Sequence, residues 1–340
     1  MTQQTEAARF IIGTDDILCE LNSLGASIAR VRVRNAKGQW TDVALSPESF
    51  TPNQPDPSLA GRTIGPCCGR IRRGEICIGH QRLQLILNEG ENHIHGGPGG
   101  CAFRQWQGEQ LSDTRVRFVL TLPDRLDGYP GNRRMTAEYT VSGSTLSILY
   151  AAETDRETFV DLTNHVYWDL SGYFDGTAMD QELEIAAFRI IRNDEHHLPV
   201  TAAPTEEAFD FLRPDSPRSR ISAFPEEEQL RIGRGYNNAF LLDPQLQTEK
   251  GFSARLSSPA SGLSMTLETD APAIVLYSGG FLGEETRLLT ADGAFRPAVP
   301  GCAIALEAQG LPDPFHLPGV QAPLLLPGIP FQRRISWNFR

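Results

Sequence analysis

The sequence predicts an all-β fold, a large antiparallel β-sandwich. Three observations lead there: short runs alternate apolar and polar residues, Gly, Pro, Asn and Asp punctuate them, and no long segment keeps a helical period. Successive side chains of a strand point to opposite faces, so such runs suit sheets with one buried face.

The elements follow along the chain. Ser27-Ile28-Ala29-Arg30-Val31-Arg32-Val33-Arg34 alternates with period two, as do Val116–Leu122 and Leu146–Tyr150. Val141-Ser142-Gly143-Ser144-Thr145 reads as a hairpin turn between two strands. Glu226–Arg231 has the composition of one short helix, and the polar, proline-containing stretch 213–228 reads as a long loop. Strand-like runs resume beyond it and no low-complexity linker interrupts the middle, so residues 1–340 are read as a single domain.

Composition narrows the function. With 40% hydrophobic and 21% charged residues, the chain has the balance of a soluble globular protein. A formal net charge of -11 and a pI near 5.2 argue against partners that need a basic surface, so neither nucleic acid nor an anionic membrane is expected. The start, MTQQTEAARF, lacks a basic residue followed by a long apolar run, and no apolar stretch reaches the roughly 18 residues of a membrane span. A cytoplasmic location is the expectation. The six cysteines, Cys19, Cys67, Cys68, Cys77, Cys101 and Cys302, contain no CxxC pair, and are read as mostly reduced core residues.

Four segments carry chemistry. In Gly61–Ile71, Arg70 follows a glycine, and the GxxxxGK[ST] phosphate-loop pattern is absent; Arg70 is either a binding group or an ion-pair partner. In Asn92-His93-Ile94-His95-Gly96-Gly97, an extended backbone would point both histidines to one face. That pair fits a binding site, two hydrogen-bonded structural histidines, or two metal ligands. The residues after His95 are Gly-Gly-Pro-Gly-Gly, without the glutamate that a cupin-type metal site would place there. Thr163-Asn164-His165-Val166-Tyr167-Trp168 sets a histidine beside two aromatics, which form either a platform for the apolar face of a sugar or part of the core. In Ala303–Asp313, Glu307 sits within an apolar strand. A carboxylate there is costly unless paired or functional, and burial strengthens it as a base. The bland alternative is an ion pair, with Arg70 as a candidate partner.

Taken in order, these segments resemble the aldose 1-epimerase (galactose mutarotase) family over nearly the whole chain. The motifs are Leu24-Gly25-Ala26-Ser27-Ile28, Gly69-Arg70-Ile71, Asn92–Gly97, Asp127-Gly128-Tyr129-Pro130-Gly131, Leu162-Thr163-Asn164-His165, Phe209-Asp210-Phe211, Gly235-Tyr236-Asn237-Asn238, Leu306-Glu307-Ala308-Gln309 and Pro312-Asp313. The resemblance implies a β-sandwich with an open cleft, a small-molecule sugar as ligand, no metal or organic cofactor, and a monomer or homodimer. It implies Glu307 as general base, His165 as general acid, and His95 and Arg70 as substrate-binding groups. Asn237 stands where the family usually has an Asp that contacts sugar hydroxyls, and Cys68 and Gly69 replace the small residue and Asn that often precede the arginine. Asn keeps hydrogen-bonding capacity without the charge, which bears on sugar preference. A non-catalytic sugar-binding protein, a metalloenzyme using His93, His95, His165 and Glu307, and a mutarotase for an acidic or deoxy sugar are the alternatives.

Overall fold

The computed structural model describes residues 7–48, 56–290 and 292–340, so the first six residues of the start read above lie outside it. Antiparallel sheets dominate. An eight-stranded sheet runs in the order Gln107–Ser112, Arg115–Leu122, Arg133–Ser142, Thr145–Thr154, Phe331–Phe339, Ser264–Thr269, Ala254–Ser257, Glu182–Ile185. A six-stranded sheet runs in the order Tyr167–Trp168, Ile304–Gln309, Ala273–Tyr277, Asn237–Leu242, Ala187–Asn193, Pro199–Pro204. A four-stranded sheet, Arg9 to Asp42, packs on the first, with Phe10 edge-on to Phe118 at 5.3 Å between ring centroids.

The alternating runs become the strands they predict. Ser27–Arg34 is a strand of the four-stranded sheet, and Val116–Leu122 and Leu146–Tyr150 lie within neighbours in the eight-stranded one. The hairpin is present: Ser142 pairs with Thr145, and Gly143 takes a φ of 54°, which suits a two-residue turn between twisted strands. The two larger sheets face each other across a continuous core. Trp168 packs on Trp337 at 5.4 Å and on Phe339 at 5.5 Å, joining them where the Tyr167–Trp168 edge meets the carboxy-terminal strand.

Helices are short, and the sequence reading of them needs correction. The 213–228 stretch is not all loop: Pro217–Ala223 is a helix, with the Ser216 side chain accepting from the Ser219 N–H and Pro217 in the first turn, where its missing N–H costs nothing. The helix expected at Glu226–Arg231 runs Glu228–Gly233, capped by Glu227. A third, Pro244–Lys250, follows the Asp243 cap. In both missed helices the Ser-Pro and Asp-Pro pairs were a legible start signal. All six cysteines are free; five are buried and Cys77 is exposed.

The six-stranded sheet positions the site, because its two faces do different work. On Ile304–Gln309, every residue is buried. Ile304, Leu306 and Ala308 enter the core between the sheets, together with Ile274, Leu276 and Phe240 of the adjoining strands. Ala305, Glu307 and Gln309 face the other way. Register carries that face across the sheet: Glu307 pairs with Val275 and Val275 with Ala239, while Ala305 pairs with Tyr277 and Tyr277 with Asn237. Glu307, Gln309, Val275, Tyr277, Ala239 and Asn237 all line one cavity.

Leu306→Ala should therefore cost about 2–5 kcal/mol by urea denaturation, as for other buried leucines. A loss below about 1 kcal/mol would contradict this face assignment.

Candidate active site

The cavity on this face is a cleft of about 720 Å³. Its walls hold Glu307, His165, His95, Arg70 and Asn237, so all five candidates from the sequence meet in one place.

Glu307 is only 4% exposed and His165 6%. The Glu307 Oε1 and His165 Nε2 atoms lie 3.6 Å apart, side by side but beyond hydrogen-bond distance. Glu307 Oε2, His165 Nδ1 and His95 Nδ1 are buried and find no hydrogen-bond partner among the described residues. Buried polar atoms are ordinarily satisfied, and these three belong to residues that line one cleft, where a ligand could meet them. Burial raises the Glu307 pKa above that of an ordinary glutamate, with the nearby His165 opposing the shift. The ion pair with Arg70, held open from sequence, does not form: Arg70 pairs with Glu89 instead.

His165 is fixed through its backbone. Its N–H donates to the Arg62 carbonyl (2.9 Å), and its carbonyl accepts from the Gly61 N–H (3.0 Å). Next to it, the Asn164 amide donates to the Gly61 carbonyl (2.8 Å). Beyond it, alternation divides the aromatic pair. Tyr167 lines the cleft, its ring centroid 4.8 Å from that of His165, and Trp168 enters the core. Tyr277 stands edge-on to both, 6.4 Å from His165 and 5.9 Å from Tyr167. Tyr167 is nonetheless buried, within a second apolar cluster under the cleft wall, so both aromatics pack and only Tyr167 borders the cavity.

The two histidines of the HxH segment do not share a face, contrary to the extended reading. His93 ends in the interior, its Nδ1 2.7 Å from the Ile86 carbonyl and its Nε2 2.8 Å from the Tyr129 hydroxyl. Tyr129 comes from the Asp-Gly-Tyr-Pro-Gly motif, whose Asp127 also accepts from the Gly99 N–H (2.7 Å). That motif thus braces the histidine loop. His95 leaves the strand with a φ of 52°, which turns its side chain into the cleft, 5.8 Å from His165 between ring centroids. Burial, and then the neighbouring His165 and Arg70, hold the His95 pKa well below the usual imidazole value. Gly96 follows at φ 79°, and a Cβ there would lie 2.1 Å from the Gly65 carbonyl oxygen. Since His93 turns away and is saturated, the four-residue metal set considered from sequence does not converge.

Arg70 reaches the cleft from a short ribbon in which Arg70 pairs with Ile94 and Ile71 with His93. Asn237 opens a strand of the six-stranded sheet; its carbonyl accepts from the Asn193 amide (2.9 Å) and its side chain lines the cleft. Sequence reasoning did not find Tyr277, Glu89 or His197. His197 also has a left-handed φ, 59°, and packs edge-on to Phe281 at 5.3 Å. Only register and loop packing bring these three here.

The aldose 1-epimerase family profile matches residues 10–337. The chain belongs to the aldose 1-epimerase family. It is 30% identical over 336 residues to the galactose mutarotase of Mus musculus, covering 97% of this chain and 93% of the relative. It is 30% identical over 323 residues to the aldose 1-epimerase of Escherichia coli K12, covering 93% and 90%. Among solved structures, the galactose 1-epimerase from Lactobacillus acidophilus NCFM superposes with a TM-score of 0.84 at 26% identity, covering 100% of this chain and 96% of that one. The GalM/aldose epimerase homologue from C. elegans shares the fold, with a TM-score of 0.87 at 24% identity, covering 98% and 99%. As a family member, the chain is an isomerase that interconverts the anomers of an aldose. Among the described residues, no helix is long and apolar enough to cross a membrane.

The burial of Glu307 gives a stability prediction. A raised folded-state pKa means that the folded protein binds this proton more tightly than the unfolded chain. Wild-type stability therefore falls as pH rises from the ordinary carboxylate range through the folded value. Glu307→Gln removes that loss, so at neutral pH its urea midpoint should equal or exceed the wild type's. A destabilisation above about 1 kcal/mol would show that the carboxylate serves the fold.

Proposed function

We propose that Glu307 and His165 are the base and acid of anomer exchange on a neutral free aldose such as galactose. The observation that carries this reading is the pair itself: two buried titratable groups 3.6 Å apart, with Glu307 Oε2 and His165 Nδ1 left unpartnered. The anomeric hydroxyl and the ring oxygen are both bonded to C1. An acid and a base that serve them must therefore stand side by side, as these do.

In the forward half-reaction, the Glu307 carboxylate takes the proton of the anomeric hydroxyl. The C1–ring oxygen bond breaks, and protonated His165 donates to the departing ring oxygen, giving the open-chain aldehyde. Rotation about C1–C2 presents the other face of the carbonyl. Neutral imidazole then takes the proton back as the hydroxyl attacks C1, and the Glu307 carboxylic acid returns its proton to the carbonyl oxygen. Each group ends as it began, no electron is transferred, and no cofactor is required by the balance of the reaction. Burial supports the base role, since a raised pKa strengthens the carboxylate.

In this reading, His95, held neutral by its surroundings, accepts or donates a hydrogen bond to the sugar, and Arg70 donates one. Tyr277, partly exposed and backed edge-on by the buried Tyr167, offers ring surface to the apolar side of the pyranose. Asn237 serves as a neutral hydrogen-bonding group for a hydroxyl. Fixing the ring against these groups adds to the rate by positioning. The names of the galactose mutarotase and galactose 1-epimerase relatives support galactose as the first sugar to test.

Anomer exchange of galactose, followed by NMR or polarimetry, tests the roles. Glu307→Gln and His165→Asn should each lower kcat by about 10²–10⁴-fold while the circular dichroism stays native. Either folded variant turning over near the wild-type rate would remove that residue from the mechanism. The acid limb of kcat/KM should also lie above the pH at which an ordinary glutamate ionises, because the base works only when deprotonated and its pKa is raised. A profile that stays flat down into the ordinary glutamate range would rule out Glu307 as the base.

A further inference from the structure

Among the described residues lining the cleft, Arg70 is the sole arginine or lysine, against the carboxylates of Asp56, Glu89, Glu285 and Glu307. Its charge is already engaged. Arg70 Nε donates to Glu89 Oε2 and Nη2 donates to Glu89 Oε1, both at 2.6 Å, a two-pronged pair. The guanidinium has five N–H donors in a fixed plane, so Glu89 occupies one edge and leaves the Nη1 amino group for a ligand.

Glu89 is held where it can do this. Its N–H donates to the Asn92 carbonyl (3.1 Å), and the Asn92 N–H returns a bond to the Glu89 carbonyl (2.9 Å). The Asn88 side chain clamps the same turn onto Ile94, accepting from its N–H (2.9 Å) and donating to its carbonyl (3.1 Å). Ile94 is the register partner of Arg70 and precedes His95. Turn, arginine and histidine thus form one unit. An exposed ion pair is ordinarily worth little, but this one is bidentate, with the arginine side chain 20% and the glutamate 38% exposed, so geometry rather than burial is what it contributes.

We propose that Glu89 is a specificity-determining positioning residue of the cleft. It aligns Arg70 so that a free edge of the guanidinium meets a sugar hydroxyl. By cancelling the one arginine among the described residues of this cleft, it also confines the site to uncharged aldoses. Asn237 adds no charge to the cleft wall, so it is Glu89 that keeps an anionic sugar from claiming Arg70. The proposal rests on the reading of this cleft as the sugar site.

The test compares Glu89→Gln and Glu89→Asp with wild type on galactose and galacturonate, which differ by a carboxylate at one end. Steady-state anomer exchange gives kcat and KM for each sugar, and titration calorimetry gives Kd without requiring turnover. In Glu89→Gln, the preference for galacturonate over galactose should rise about tenfold in both kcat/KM and 1/Kd, since the repulsion goes and the arginine charge is freed. The galactose KM should rise more than its kcat falls, because a binding group has lost its orientation. Glu89→Asp keeps the charge, so its sugar preference should stay within about twofold of wild type. A Gln variant with unchanged preference overturns the proposal, and so does an Asp variant whose preference shifts as far as that of Gln. Absence of anomer exchange by the wild type would instead refute the assigned chemistry, while the Kd ratio would still read the role of Glu89.

Discussion

Glu307 is carried into the interior by a strand whose opposite face is the hydrophobic core. Leu306 and Ala308 bury their side chains between the two large sheets, and their burial fixes the carboxylate between them on the cleft side. A one-residue slip of register would exchange the two faces and place Glu307 in the core. The favourable burial of the apolar residues thus offsets the unfavourable burial of a charge, and the strained pKa of Glu307 is the trace that remains. The other groups of the cleft stand around a carboxylate whose backbone is fixed by the buried strand.

The surrounding motifs divide into those that face the ligand and those that hold them. His95 and His165 reach the cleft; His93, Asn164, Tyr129 and Asp127 are spent on hydrogen bonds that set the loops bearing them. The glycines after His95 belong to the second group, since Gly96 lets that turn lie against the Gly65 backbone. Much of what makes the sequence pattern specific is therefore scaffolding. Short segments from distant parts of the chain must be locked to each other before two histidines, an arginine and a carboxylate can share one cavity. Arg70 adds a further layer, because the group that sets its orientation is a glutamate on the turn leading to His95.

How much was legible beforehand varied with the kind of signal. Period-two alternation and turn residues foretold the strands and the hairpin at Gly143, because both depend on local geometry. The helices at Pro217–Ala223 and Pro244–Lys250 were missed although a cap and proline marked each start, since neither seven-residue segment is long enough to show a period. The HxH segment misled through the same alternation rule that succeeded elsewhere. The strand ends at Ile94, and the left-handed backbone of His95 breaks the pattern at the position that matters.

The sequence by itself determined the class of fold, the family, and five residues that do meet in one cleft. These follow from local periodicity and from motifs that survive in order along the chain. Only the tertiary structure decided that His93 supports while His95 faces the cleft, and that Tyr167 lines it while Trp168 fills the core. It also decided that Arg70 answers to Glu89 rather than to Glu307, and that Tyr277 and His197 belong to the wall. The physical reason is that a side chain's partner is set by sheet register and loop packing between segments far apart in the chain. Neighbouring residues along the sequence carry no record of those contacts.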